Sequence, residues 1–161
     1  MDMFTTALTW FAAISSGIMA GVYLTFSVFV MRSLDAMAGT TGMAAMQSIN
    51  RIILKSAFMP LFFLSSLASL VLAIGTALDL ADAGAIYLLA GGAIYVLGMF
   101  GVTAAGNVPL NDRLEATDSD GSGAAAMWSL YMRRWTVWNH VRSIACTTSA
   151  VLFTLALIAR A

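Results

Sequence analysis

The sequence predicts an all-α integral membrane protein: a single domain, residues 1–161, folded as a four-helix transmembrane bundle with amphipathic helical segments in two of its connections. Three observations predict it. Only 10% of residues are charged and 60% are hydrophobic, with a mean hydropathy of +0.87; ordinary soluble domains carry about 25% charge. Four stretches without Asp, Glu, Lys or Arg are long enough to cross ~30 Å of hydrocarbon. The cations gather in alternate connections between those stretches. This composition excludes a soluble enzyme domain, a disordered tail and a disulfide-stapled module. A formal net charge of zero gives nucleic acid nothing to bind.

The first span, 7–31, has 25 consecutive uncharged residues. Its flank, Met1-Asp2-Met3, is acidic and its apolar run exceeds a signal h-region, so it is expected to stay as a helix. The second span, 56–78, has 23 uncharged residues, the third, 83–106, has 24, and the fourth, 143–159, has 17. Parts such as 22–30 are rich in β-branched and aromatic residues. The runs nevertheless far exceed the ~9–11 residues of a barrel strand and show no alternating polar face. Helices satisfy every backbone group within the segment, which hydrocarbon demands.

The connections are unequal. Spans two and three meet at a tight acidic turn carrying Asp79 and Asp82, which predicts an antiparallel hairpin. Connection one (32–55) and connection three (107–142) are long and partly helical in pattern. Within 43–55, Met46, Ile49 and Ile53 recur on one face, and Gln47, Arg51 and Lys55 follow on another. Pro60 permits a bend before span two. Residues 114–123 are the clearest solvent loop. Seven of the eight Lys/Arg lie in these two connections: Arg32, Arg51, Lys55, Arg113, Arg133, Arg134 and Arg142. The positive-inside rule then puts both connections in the cytoplasm and both termini outside, the membrane being the plasma or inner membrane if the chain is bacterial. Ala13, Gly17 and Gly21, and Gly98, Gly101 and Ala105, are small residues at helical spacing that let backbones approach, within the chain or across a homo-oligomer seam.

Polar groups converge in two places. At 100° per residue, Trp128, Tyr131, Met132, Trp135, Trp138, Asn139 and Arg142 share a helix face of about 120°, with His140 and Arg133 on the far side. Such a stripe builds the walls of a pocket for a flat apolar ligand, with amide and guanidinium groups to fix an oxygen. It also fits an aromatic belt with a snorkelling arginine. The second constellation is Asn107-Val108-Pro109-Leu110-Asn111. The two amides share a face, and Pro109 strains the turn before it and leaves a carbonyl to be satisfied; capping of the helix end is the alternative. Asn50 and Gln47 can join this layer.

Asn107-x-Pro109-x-Asn111 followed by Trp135-x-x-x-Asn139-x-x-Arg142 resembles the anthrone-oxygenase-like family of small four-helix membrane proteins, much of it a domain of unknown function. The Gly17/Gly21 span and Gln47-x-x-Asn50-Arg51 extend the resemblance over nearly the whole chain. It implies a compact four-helix bundle and, for some members, oxygenation of polycyclic anthrones to anthraquinones.

An anthrone is a carbon acid whose anion is electron-rich enough to react with oxygen without a metal. The protein need only hold the rings, stabilise the enolate oxygen and help a proton leave. On this reading the catalytic candidates are Asn139, Arg142, Asn111 and His140, and the substrate-binding candidates are Asn107, Trp128, Tyr131, Trp135, Trp138 and Asn50. His140, Asp112 and Glu115 are the available bases, although His140 is out of phase with the stripe. No cofactor is expected. The sequence has no HExxH or CxxC, and its one cysteine, Cys146, reads as a buried small residue. A haem would need His140, one from each of two chains for two axial ligands. The eleven methionines are scattered as packing residues. A small transporter and a non-catalytic membrane subunit are the competing classes; no charge in mid-span marks an ion path.

Overall fold

The computed structural model describes residues 3–78, 80 and 83–160. Among them every regular element is helical. Four are long and apolar enough to cross a membrane: α1 Met3–Asp35, α3 Phe58–Leu78, α4 Ala85–Glu115 and α5 Ala124–Ile158. A shorter helix, α2 Thr41–Ile53, lies between α1 and α3. The acidic turn at Asp79 and Asp82 lies outside the described residues, as does Asp2.

The long helices exceed the predicted spans. At 1.5 Å per residue the 35 residues of α5 reach about 50 Å, well beyond a bilayer core. The aromatic segment of connection three and span four are thus one unbroken helix, and only 116–123 links α4 to α5. Pro109 does not end α4. The turn before it widens to π geometry over Thr103–Asn107, and the helix resumes as Val108–Glu115. A wide turn absorbs the carbonyl that the proline cannot serve. Pro60 likewise sits in the first turn of α3, where its missing N–H costs little; the bend falls earlier, between Ile53 and Phe58.

Three core layers stack along the bundle. One end packs Ala12, Leu72, Leu88 and Phe153. The middle holds Met19, Tyr23, Phe62, Tyr95 and Met99. The other end, where α2 lies, holds Met31, Met43, Met46, Leu114 and Tyr131. Lipid tails are as apolar as these side chains, so cohesion comes from close packing and interhelical hydrogen bonds. The hydroxyls of Ser65 and Tyr95 join α3 to α4 at 2.7 Å, and Ser149 Oγ donates to Gly91 O at 2.9 Å between α5 and α4.

Two glycine groups behave differently from one another. A Cβ on Gly92 would fall 2.4 Å from Ser69 O, and one on Gly98 would fall 2.6 Å from Ala145 Cβ, so α4 meets its neighbours there. Gly17 and Gly21 face outward, and a Cβ added to either would have nothing within 4 Å. No close approach is made at either position among the described residues. Gly92→Ala is therefore expected to destabilise the bundle by about 1–3 kcal/mol, whereas Gly17→Ala should be neutral or add up to about 1 kcal/mol from helix propensity. Thermal melts in detergent check both.

α2 is clamped to the rest. Gly42 lies against the α1 backbone so closely that a Cβ would meet Leu34 O at 2.0 Å. Gln47, predicted on the polar face, is buried instead: its Nε2 donates to Leu114 O at 2.8 Å and Thr117 O at 2.9 Å. Leu114 O is in the last turn of α4 and Thr117 O lies just past its end, where carbonyls lack a following helical turn to serve them. The exposed pair Arg51–Glu115, 2.8 Å apart, contributes at most about 1 kcal/mol.

Candidate functional site

The stripe on α5 is buried as its phase predicts: Trp128, Tyr131, Trp135, Asn139 and Arg142 all face the bundle. Trp128, Tyr131 and Trp135 form a ladder, with centroids 5.9 and 5.7 Å apart and planes tilted by 13° and 20°. Spacings of three and four residues place each ring over the next. Their polar atoms are spent on the protein. Trp128 Nε1 donates to Asp35 Oδ1 at 2.9 Å, while Tyr131 OH and Trp135 Nε1 both donate to Asn111 Oδ1 at 2.8 Å.

Asn139 is fully buried and joins α5 to α1. Its Nδ2 donates to Tyr23 O and Ser27 Oγ, each at 2.6 Å, and its Oδ1 accepts from Arg142 Nη2 at 2.6 Å. Tyr23 O lies one turn before the π segment Phe26–Val30. Arg142 is 6% exposed. Its Nη1 donates to Thr103 Oγ1 at 3.3 Å, and its Cζ lies 4.2 Å from the Tyr23 ring centroid and 5.2 Å from that of Trp135. Its Nε has no hydrogen-bond partner among the described residues. No carboxylate among those residues pairs with this guanidinium; Glu115 is engaged elsewhere, by Arg51. A buried cation costs several kcal/mol unless compensated; aromatic faces return about 2 kcal/mol or more when desolvated.

Beside Arg142 lies a cavity of about 280 Å³, near the small end of ligand pockets. Tyr23 and Phe26 of α1, Phe58 and Phe62 of α3, and Phe100 of α4 supply aromatic walls, with Trp135 beside Phe26 at 6.0 Å between ring centroids. α2 covers it with Met46, Ile49 and Asn50, and the polar lining is completed by Thr103, Asn111 and Arg142. The π segments of α1 and α4 border it through Phe26, Phe100 and Thr103; such widened turns recur at functional sites.

Of the sequence candidates, Arg142, Asn111, Trp135 and Asn50 line the cavity. Asn139 stands behind Arg142, and Tyr131 and Trp128 stand behind Trp135. Asn107 is buried and donates through Nδ2 to Trp135 O at 3.3 Å. Trp138, 41% exposed, packs across Gly106 on the outer side, where a glycine Cβ would touch its ring. His140 is exposed, as its phase implies, and so is Asp112, while Glu115 pairs with Arg51. None of these three bases lines the cavity. The phenylalanine walls and Thr103 are absent from the sequence candidates, because apolar residues within a span carry no positional signal without their partners.

A family model described as anthrone oxygenase matches residues 49–152, well over half the chain. The chain belongs to the anthrone oxygenase family. No curated protein and no solved structure matches it. The part of this anthrone oxygenase family member that the match covers includes Asn50, Asn111, Trp135, Asn139 and Arg142, and leaves out the α1 wall of Tyr23 and Phe26.

Proposed function

We propose that the cavity binds a flat, lipophilic aromatic carbon acid of the anthrone type and promotes its oxygenation to the quinone. One observation carries this reading: a buried guanidinium without a carboxylate partner among the described residues faces an otherwise aromatic cavity, with its Nε–H unspent. A cation held so in a membrane protein marks a functional site by default. The rings would lie in the cavity against Trp135 and Phe26, themselves in contact, and the α3 phenylalanines. The substrate oxygen would meet Arg142 and Asn111.

The chemistry then asks little of the protein beyond electrostatics. Stabilising the enolate oxygen lowers the acidity barrier of the ring methylene, and its proton leaves to water. The carbanionic carbon forms a C–O bond with dioxygen, and the resulting peroxide anion takes a proton back from water to give a hydroperoxide. Loss of water from that hydroperoxide, by O–O cleavage and removal of the remaining C–H proton, leaves a carbonyl. One O₂ is consumed and one H₂O released per quinone.

Arg142 and Asn111 touch the substrate on this reading, Asn50 lies over it from α2, and Asn139 positions Arg142. Trp128, Tyr131 and Asn107 support the wall. His140 and Trp138 belong to the membrane interface. The seven cations in the two connections at this end support a site at the cytoplasmic face. Leu54, Phe63 and Val108 line the cavity and are themselves exposed on the bundle surface, so the substrate enters sideways from the bilayer. Oxygen uptake by detergent-purified protein tests the reading. Anthrone should be consumed one-to-one with O₂ well above the detergent blank; a rate equal to that blank sinks it.

A further inference from the structure

The Asn111 amide is held in one orientation. Its oxygen accepts from both Tyr131 OH and Trp135 Nε1, at 2.8 Å each. An amide oxygen has two lone pairs, so both are taken and the NH₂ is what Asn111 has left to offer. Arg142 Nε, an N–H donor at the cavity wall, is buried without a partner among the described residues, and the Asn50 amide, whose Nδ2 makes no well-formed hydrogen bond, has the Tyr131 hydroxyl as its neighbour. Two neighbouring acceptors each already serve Arg142 with one of their two lone pairs. Thr103 Oγ1 accepts from Arg142 while donating to Met99 O at 2.7 Å, and Asn139 Oδ1 accepts from Arg142 Nη2. No carboxylate or imidazole among the described residues lines the cavity.

We infer that this cavity is an anion site that takes a flat phenol or enol in its ionised form, and that Tyr131 and Trp135 are positioning residues that set its polarity by fixing the Asn111 amide. The inference deepens the reading above by naming the protonation state and the residues that select it. A neutral phenol must place its own O–H and is offered neither carboxylate nor imidazole. A phenolate meets N–H donors on three helices and an unneutralised cation. Burial multiplies that difference, because a donor left unmet in a dry site costs more than one left in water.

The test uses 2-naphthol, a two-ring phenol whose absorbance changes on ionisation and which has no methylene to oxygenate. Titrated with detergent-purified protein, bound 2-naphthol should ionise at a pH lower by about one unit or more than in detergent alone, a roughly tenfold preference for the anion. Asn111→Asp replaces donors by acceptors and should abolish the shift, as should Arg142→Gln. Tyr131→Phe frees one lone pair of Asn111 and should give a smaller shift with binding retained, which a merely structural role would not produce. A wild-type shift of zero or of opposite sign overturns the inference, as does an undiminished shift in Asn111→Asp. A shift without anthrone-dependent oxygen uptake keeps the anion site and removes the oxygenase reading; uptake without a shift does the reverse.

Discussion

Arg142→Gln is expected to lower anthrone-dependent oxygen uptake by about 10²–10³-fold, the usual loss when one donor to a developing oxyanion is removed. The melting temperature in detergent should stay the same or rise. Both expectations come from one feature. The guanidinium is 6% exposed with no carboxylate partner among the described residues, and what it receives in return is two hydrogen bonds and two aromatic faces. Desolvation of the ion costs several kcal/mol, comparable to or larger than that return. Gln keeps a donor for Asn139 Oδ1 and removes the charge. A cation kept at such a cost is kept for what it binds, and sites of this kind trade stability for activity. Lost melting together with unchanged turnover would make Arg142 a structural residue and refute its assignment to the site.

Asn139→Ala should behave in the opposite sense. It deprives Tyr23 O and Ser27 Oγ of a donor and Arg142 Nη2 of an acceptor, all in the dry interior. Each buried group left unmet costs about 1–3 kcal/mol in soluble proteins, and polar contacts in membranes average nearer ~0.6 kcal/mol. A net loss of about 2–3 kcal/mol is expected, measured by denaturant or thermal unfolding in detergent. Uptake should fall as well, because Arg142 loses the atom that aims it. Asn139→Asp separates the two effects: its carboxylate would pair with Arg142 and neutralise the cation, so oxyanion binding should be lost even where the bundle survives. Full activity in Asn139→Asp would show that the charge of Arg142 is not used.

Much of this arrangement is legible in the sequence, and the limits of legibility have physical causes. Uncharged runs locate the spans because lipid forbids charge. They do not locate the helix ends, since backbone hydrogen bonding continues into the water layer. Arg32 and Asp35, and Arg113 and Glu115, read as loop and are helical. The α5 stripe is readable because 100° per residue fixes which side chains share a face, and Trp128, Tyr131, Trp135, Asn139 and Arg142 do share the buried one. Trp138, at the edge of that face, turns outward instead. Gln47 reads as polar surface because spacing cannot reveal that two helix-end carbonyls await it. The outward Gly17 and Gly21 carry the same lesson: small-residue spacing shows that a close approach is permitted, and only the neighbours show whether one is made. The phenylalanine walls arise from tertiary packing and leave no local pattern, whereas Pro109 does mark the π turn Thr103–Asn107 before it.

The central claim is that the aromatic cavity beside Arg142 is where the ligand sits. The most direct measurement is an experimental structure of the detergent- or nanodisc-embedded protein with 1-hydroxyanthraquinone, a stable relative of the proposed product. Ring density is expected in the cavity alongside the Trp135–Phe26 pair, beneath α2, with a ligand oxygen at about 2.7–3.2 Å from Arg142 Nε or Asn111 Nδ2. Ordered ligand elsewhere on the bundle with this cavity empty, or rings in the cavity with every oxygen turned away from Arg142, would contradict it.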